Sequence, residues 1–155
     1  MSMARLEDIP QPTRDAVATA ACPSFDTTPF VSGPPLAERR VAIVSSAALI
    51  RRGDTPFAFG SAEVRFLSAD ASLKDLLISH VSINFDRSGY QRDINTVYPI
   101  ERLRDLAAQG IVGSVAATHY TVMGSTDPST MEGSADQISG QLRQERVDAV
   151  LLSPV

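Results

Sequence analysis

Val41-Ala42-Ile43-Val44 is a run of four apolar residues without a polar break, set between Arg39-Arg40 and Ser45-Ser46. A strand with one wet face alternates apolar and polar side chains, whereas a strand covered on both faces reads as one continuous apolar run. The run therefore predicts a central strand beneath helices on both sides. Val147-Asp148-Ala149-Val150-Leu151-Leu152 repeats the pattern near the C-terminus and predicts a second strand of the same kind.

Helical spacing fills the space between them. Pro99 suits a first helical turn, Ile100, Leu103 and Leu106 form one apolar stripe, and Gly110 is a left-handed terminator, so a helix is expected over 99–110. Met131, Ala135, Ile138 and Leu142 step by four, three and four, predicting a second amphipathic helix over 131–145. Shorter strands are expected at 63–67, 76–84 and 111–117, and a loop at 51–56. Strands that alternate with helices give an α/β fold: a mostly parallel sheet with flanking helices in Rossmann-like layers.

Six of the ten prolines lie at or before Pro35. Residues 1–39 accordingly read as a Pro-rich, irregular N-terminal arm, with Phe25, Phe30 and Val31 as ties to the body. Residues 40–155 read as the α/β domain. Its ending is unusual, because a buried parallel strand is normally followed by a loop and a covering helix. Here the chain stops three residues beyond Leu152, at Ser153-Pro154-Val155. The carboxyl ends of such strands are where α/β proteins place ligands. Either the domain is incomplete at its C-terminus, or this is an edge strand at a natural end.

Composition narrows the function classes. The 155 residues are 43% hydrophobic and 21% charged, with a net charge of −4, which is ordinary for one globular domain. Nucleic-acid or acidic-membrane surfaces need clustered Lys and Arg, which are absent. No run approaches the roughly 18 apolar residues of a membrane span, and the N-terminus lacks a signal-peptide core, so the expected location is cytoplasmic. Cys22 is the only cysteine. A dithiol cycle therefore needs a partner or a residue beyond this sequence. Cys22 itself is a remote resolving thiol or an incidental arm residue.

His80 and His119 are the only histidines, and each follows a predicted strand segment. Their chemistry would be proton transfer or the tuning of a neighbouring acid; the plain alternative is a histidine hydrogen-bonded at a strand end. Asp93 joins them as an accessory catalytic candidate that would orient a histidine, against the alternative of a polar turn shared with Asn95. Asp86 is a candidate for binding a substrate amine, or else an ion-pair partner for an arginine. Arg52 and Asp54, after the first strand, are substrate-binding candidates because arginine pairs with carboxylates, or else a solvated loop. His80, Asp86, Asp93 and His119 have ligand types that suit zinc or iron, but no tight spacing such as H-x-x-x-H supports a metal. Gly53, Gly113 and Gly124 make no dinucleotide fingerprint, so no nicotinamide cofactor is expected. Ser45-Ser46 lacks a hydrolase elbow, and Tyr120 and Met123 read as packing.

Four ordered segments carry a resemblance. They are Arg40-Val41-Ala42-Ile43-Val44-Ser45-Ser46-Ala47-Ala48 with Arg52-Gly53-Asp54-Thr55-Pro56-Phe57; Ile78-Ser79-His80, Asp86-Arg87 and Asp93-Ile94-Asn95-Thr96-Val97-Tyr98-Pro99-Ile100-Glu101-Arg102-Leu103; Gly110-Ile111-Val112-Gly113 with His119-Tyr120-Thr121-Val122-Met123-Gly124; and Val147 through Val155. From about Arg40 to its last residue the chain resembles the selenoprotein B family of glycine, sarcosine, betaine and D-proline reductases. In short members of that family the last segment runs into selenocysteine or cysteine, then another cysteine and the rest of the domain. The resemblance implies that this sequence ends at a UGA codon. It also implies a selenolate attacking a carbon held through a pyruvoyl group on a partner subunit, reductive C–N cleavage, and a thiol reductant resolving the selenium.

The expected function is a subunit of a selenol- or thiol-dependent reductase acting on a small amino-acid-like substrate, inactive at this length. The rivals are a non-catalytic α/β small-molecule-binding or assembly module and a metal-dependent enzyme using His80 and His119. An uncovered final strand also predicts a homo-oligomer.

Overall fold

The structure is a computed structural model, and it describes residues 5–19, 24, 26–82 and 87–155. Cys22, Phe25 and Asp86 lie outside the described residues. The chain divides into two compact units, residues 1–31 and 32–155. The first holds a 3-10 turn, Leu6–Asp8, and a helix α1, Gln11–Ala18. This arm was expected to be irregular. Pro12 instead falls in the first helical turn, where a missing N–H costs nothing, and Thr13 and Arg14 both donate to the Pro10 carbonyl at 3.0 Å.

The second unit is built on β1, Arg40–Ser45, the strand marked by the apolar run. Strands β5 (Ser114–Val115), β6 (Thr118–Thr121) and β7 (Ala149–Ser153) all lie parallel to it. Val41 pairs with both Val115 and Ala149, and Ser45 with both Thr121 and Ser153. A strand residue has one neighbour on each flank, so β5 and β6 share one side of β1 and β7 takes the other. Strand β3, Arg65–Ser68, closes the far side of β6 antiparallel. The fold is α/β with a mostly parallel sheet. Of the strand expected over 111–117 only Ser114–Val115 forms, and β6, which was not expected, begins after Ala116-Ala117, a bulge in the ladder.

Alternate residues of β1 face opposite layers. Val41 and Ile43 pack with Leu67, Val97, Tyr98, and with Ile100 and Leu103 of α3, Ile100–Ala108. Ala42 and Val44 pack with Ala116, Tyr120, and with Ile138 and Leu142 of α4, Glu132–Gln144. Each of these large aliphatic side chains gains about 2 kcal/mol from burial, which is why both faces of β1 had to be apolar. Helix α3 ends as expected: Gly110 has φ +72°, and Ile111 N–H donates to the Leu106 carbonyl at 3.0 Å.

A second, two-stranded ribbon pairs β2 (Leu49–Arg51) with β4 (Leu76–Ile78), antiparallel. Of the strand expected over 76–84, residues 76–78 form β4, and residues 83 and 84 lie outside the described residues. Beyond Ile78 one more backbone bond, from Ser79 N–H to the Ala48 carbonyl, extends the pairing, and Ser79 Oγ accepts from Phe57 N–H. A short helix α2, Ser88–Arg92, follows.

Strand β7 is less covered than its sequence suggested. Val150 is 38%, Leu151 40% and Leu152 69% exposed, so among the described residues neither helical layer reaches over this edge.

Candidate functional site

The residue pair Ser45-Ser46 closes β1, and both hydroxyls work on neighbouring chain ends. Ser45 Oγ donates to the Val97 carbonyl at 2.7 Å, and Ser153 Oγ donates to the same oxygen at 2.9 Å. Ser46 N–H donates to the Ser153 carbonyl at 3.1 Å. Ser46 Oγ then accepts from Val155 N–H at 2.8 Å. The Val155 side chain packs against the core on the α3 face. The end of β7 is thus fastened to the end of β1 through side-chain as well as backbone bonds.

Gly124 completes the same corner. Its N–H donates to the Ser46 carbonyl at 3.0 Å. A Cβ placed on Gly124 would stand 2.8 Å from the Ser46 carbonyl oxygen, 3.0 Å from Ser46 Oγ and 3.0 Å from His80 Nε2. Space is what demands glycine here: a methyl group would have to displace a backbone oxygen. His80, Ser46, Gly124 and Val155 therefore meet at the carboxyl edge of β1, β6 and β7, where open α/β sheets bind ligands.

His80 is buried, and its Nδ1 accepts from Ser82 N–H at 3.2 Å. Burial, and then the Arg87 guanidinium, hold its pKa below the ordinary histidine value. Arg87 donates to the His80 carbonyl at 3.0 Å. A histidine neutral at pH 7 is a base, able to take a proton from a group delivered beside it.

His119 sits elsewhere in the fold. It lies within β6, is 0% exposed, and its Nδ1 accepts from Ile43 N–H at 2.9 Å. That backbone donor faces the bulge between β5 and β6, where the ladder has no carbonyl to offer, so the imidazole replaces the missing strand. Two residues on, Thr121 Oγ1 accepts from Leu49 N–H at 2.8 Å in the same manner. Glu145 pins the other side of the bulge, its carboxylate accepting from Ala117 and Thr118 N–H at 3.1 Å each. Burial works against ionising Glu145, but bonds from Thr118, Gln141 and Ala117 outweigh it and hold the carboxyl below its ordinary value. The His119 ring meets Tyr98 edge-on at 5.7 Å, and burial pushes its pKa down to about 4.

The other candidates separate. The Asp93 carboxylate caps the 3-10 turn Ile94–Thr96, accepting from Asn95 N–H at 2.9 Å and Nδ2 at 2.8 Å, with Arg102 at 3.4 Å. The Asn95 bonds, foremost, hold its pKa low. Asn95 in turn donates to Glu101 Oε2 at 2.7 Å, tying the cap to the start of α3. Asp54 Oδ2 accepts from Arg51 N–H at 2.9 Å in the turn after β2, and Arg52 N–H donates to the Asp75 carbonyl at 2.7 Å. Because Arg51 pairs with Leu76 and Leu49 with Ile78, this turn lies at the opposite end of the β2–β4 ribbon from His80. Among the described residues, no three His, Cys, Asp or Glu side chains are grouped as a metal site requires. No helix among them is long and apolar enough to cross a membrane.

The family model for glycine/sarcosine/betaine reductase selenoprotein B matches residues 19–155. The chain belongs to this family. The D-proline reductase subunit gamma of Acetoanaerobium sticklandii is 32% identical over 121 residues, covering 76% of this chain and 49% of the relative. The glycine reductase complex component B subunit gamma of Symbiobacterium thermophilum is 26% identical, covering 84% of this chain and 32% of the relative. The sarcosine reductase complex component B subunit beta of Peptoclostridium acidaminophilum is 25% identical, covering 74% and 27%. The chain thus spans about half the length of the first of these relatives and about a third or less of the other two. No solved structure matches it.

Of the residues that meet in this corner, the sequence singles out His80 as a candidate but gives Ser46 and Gly124 no role. Both were visible: a serine pair directly after a two-face-buried strand, and a glycine three residues after a second strand. They were weighed against a hydrolase elbow and a dinucleotide loop, and neither motif describes a corner that fastens two strand ends together.

Proposed function

We propose that this chain is part of a reductase subunit that acts on a small amino-acid-like substrate through a selenol or thiol located directly after Val155. Family membership and the reductase subunits among its relatives support the reaction class. The observation that carries the reading is the Ser46 bond to Val155 N–H: the chain leaves β7 held at the carboxyl edge, so the next residue emerges in the corner that holds His80. The exposed side chains of β7 further support a longer domain, because a βα continuation would supply their cover.

A selenol supplies a nucleophile that is more anionic than a thiol near neutral pH. The surrounding residues fit that group. For a thiol at that position His80, neutral and in the same corner, is the base that takes its proton, whereas a selenol is already largely ionised; Ser46 and Gly124 hold the backbone that carries it. Away from the corner, Asp93 and Asn95 fix the start of α3. His119 serves the same site from below by keeping β1 and β6 in register. The substrate carbon is presented by a partner subunit carrying a pyruvoyl group. The selenolate or thiolate bonds to it as the C–N bond breaks and the amine leaves with a proton. A neighbouring thiolate then attacks the selenium or sulfur and releases the carbon, which takes up a proton. A thiol reductant supplies the two electrons that reopen the resulting selenide-sulfide or disulfide.

The test is reductive amine release from amino acids, sarcosine or betaine by reconstituted complexes. The 155-residue chain should show none. The chain extended through the codon after Val155 should supply it, and His80→Gln in that longer chain should lower kcat about a hundredfold. Turnover by the short chain that persists in Cys22→Ala would refute the reading.

We also propose that the short chain self-associates along β7. An unpaired edge carrying Leu151 and Leu152 invites pairing with a second copy about a two-fold axis. Light scattering should give a dimer that Leu152→Lys returns to monomer; a monomeric parent chain would end this part of the proposal.

A further inference from the structure

We infer that Ser46 is a positioning residue whose hydroxyl sets where the chain beyond Val155 begins, and that Gly124, by lacking a side chain, lets this anchor stand close to His80. The inference deepens the proposed function and rests on its placement of the redox residue after Val155.

Three observations carry it. First, the Ser46 hydroxyl is the acceptor for Val155 N–H, at 2.8 Å. The regular β1–β7 pairing runs from Val41↔Ala149 to Ser45↔Ser153 and stops there. Val155 lies two residues past its end, so a side chain takes over where the ladder gives out. Second, the residues on either side of this bond are themselves fixed. Ser153 is held by Ser46 N–H and by its own bond to the Val97 carbonyl, and Val155 packs into the core. The anchor is therefore stiff, and a residue attached to it inherits a defined direction. Third, Ser46 Oγ and His80 Nε2 stand at equal distances, 3.0 Å, from the point that a Gly124 side chain would occupy. Any residue larger than glycine would wedge the anchor away from the histidine.

An anchor of this kind acts through geometry, since it touches the backbone before the reacting group and never the substrate. Reaction rates respond steeply to such placement, and a 1 Å misplacement costs about a hundredfold. Ser46 should thus matter to turnover more than to stability, where one partly exposed hydrogen bond counts for about 1 kcal/mol.

Two measurements separate the anchor from the reading on which it rests. In the 155-residue chain, hydrogen exchange of the Val155 amide should accelerate about tenfold in Ser46→Ala and stay near wild type in Ser46→Thr, which retains the hydroxyl. In the longer chain, with cysteine at the redox position, alkylation by iodoacetamide at pH 7 should slow about tenfold or more in Ser46→Ala and in Gly124→Ala, and recover in Ser46→Thr. Its pH profile should shift toward that of an ordinary thiol as the thiol loses His80. Unchanged Val155 exchange in Ser46→Ala would overturn the anchor itself. Faster exchange with unchanged alkylation and pH profile would overturn its positioning role. A coding frame that stops after Val155 would overturn the proposed function, while the exchange experiment still decides whether Ser46 holds Val155.

Discussion

Replacing His119 by alanine is expected to cost about 4 kcal/mol of folding stability, the largest effect of any single truncation considered for this chain. Two losses add. Ile43 N–H, in the middle of β1, would lose the Nδ1 acceptor at 2.9 Å and be left buried without a partner. That penalty is about 1–3 kcal/mol. Removing the ring would also open a void beside Tyr98, in a site that is 0% exposed, and voids of this size cost a further 2 kcal/mol or so. The two contributions separate by design. His119→Leu keeps volume and loses the acceptor, whereas His119→Asn places an amide oxygen near the Nδ1 position and keeps part of both. The expected order of urea midpoints is wild type, then Asn, then Leu, with Ala lowest. If Asn and Leu were equally destabilising, the hydrogen bond to Ile43 would not be what His119 contributes.

Stability should also fall as the pH drops from about 6.5 toward 4. Burial holds folded His119 at about 4; Glu145 raises that value somewhat and Arg104 lowers it. In the unfolded chain the same ring titrates near its ordinary value of about 6.5. Between these two values the unfolded state binds a proton that the folded state refuses, so acid favours unfolding. The stabilisation is complete above about pH 6.5, shrinks through the window, and is gone below about 4. The gap corresponds to about 3 kcal/mol. His80, also held below its ordinary value, adds in the same direction. Urea midpoints measured across this window in wild type and His119→Asn provide the check: the wild-type curve should be steeper by the His119 share. Equal slopes would show that the ring charges as easily in the fold as in water.

His119 also shows what a sequence reveals and what it hides. The continuous apolar run of β1 was legible because both faces are apolar for the same reason, the layers of α3 and α4. Helix α3 was legible through Gly110, whose positive φ is a local requirement. Strand β6 was not. Thr118-His119-Tyr120-Thr121 has no apolar alternation, because His119 and Thr121 point inward to satisfy backbone donors of β1 and β2. Their polarity answers a bulge that only the pairing of β5 and β6 creates. The arm helix α1 was hidden by its own proline, which reads as a breaker unless the helix begins there. Of the candidate site residues, His80 stood where strand ends meet, as a histidine after an apolar segment suggests. Asp93, Asp54 and Arg52 were chosen for charge, and charge alone does not distinguish a cap or a turn from a binding group. The serines that fasten β1 to β7 carry no motif, since their partners lie 52 to 109 residues away in the chain.

The proposed redox residue after Val155 is tested most directly by the intact mass of the protein purified from its own source cells. The account predicts a species longer than 155 residues, with the selenium isotope pattern or a cysteine at the position following Val155 and a further cysteine close behind. A single species that ends at Val155 would contradict it.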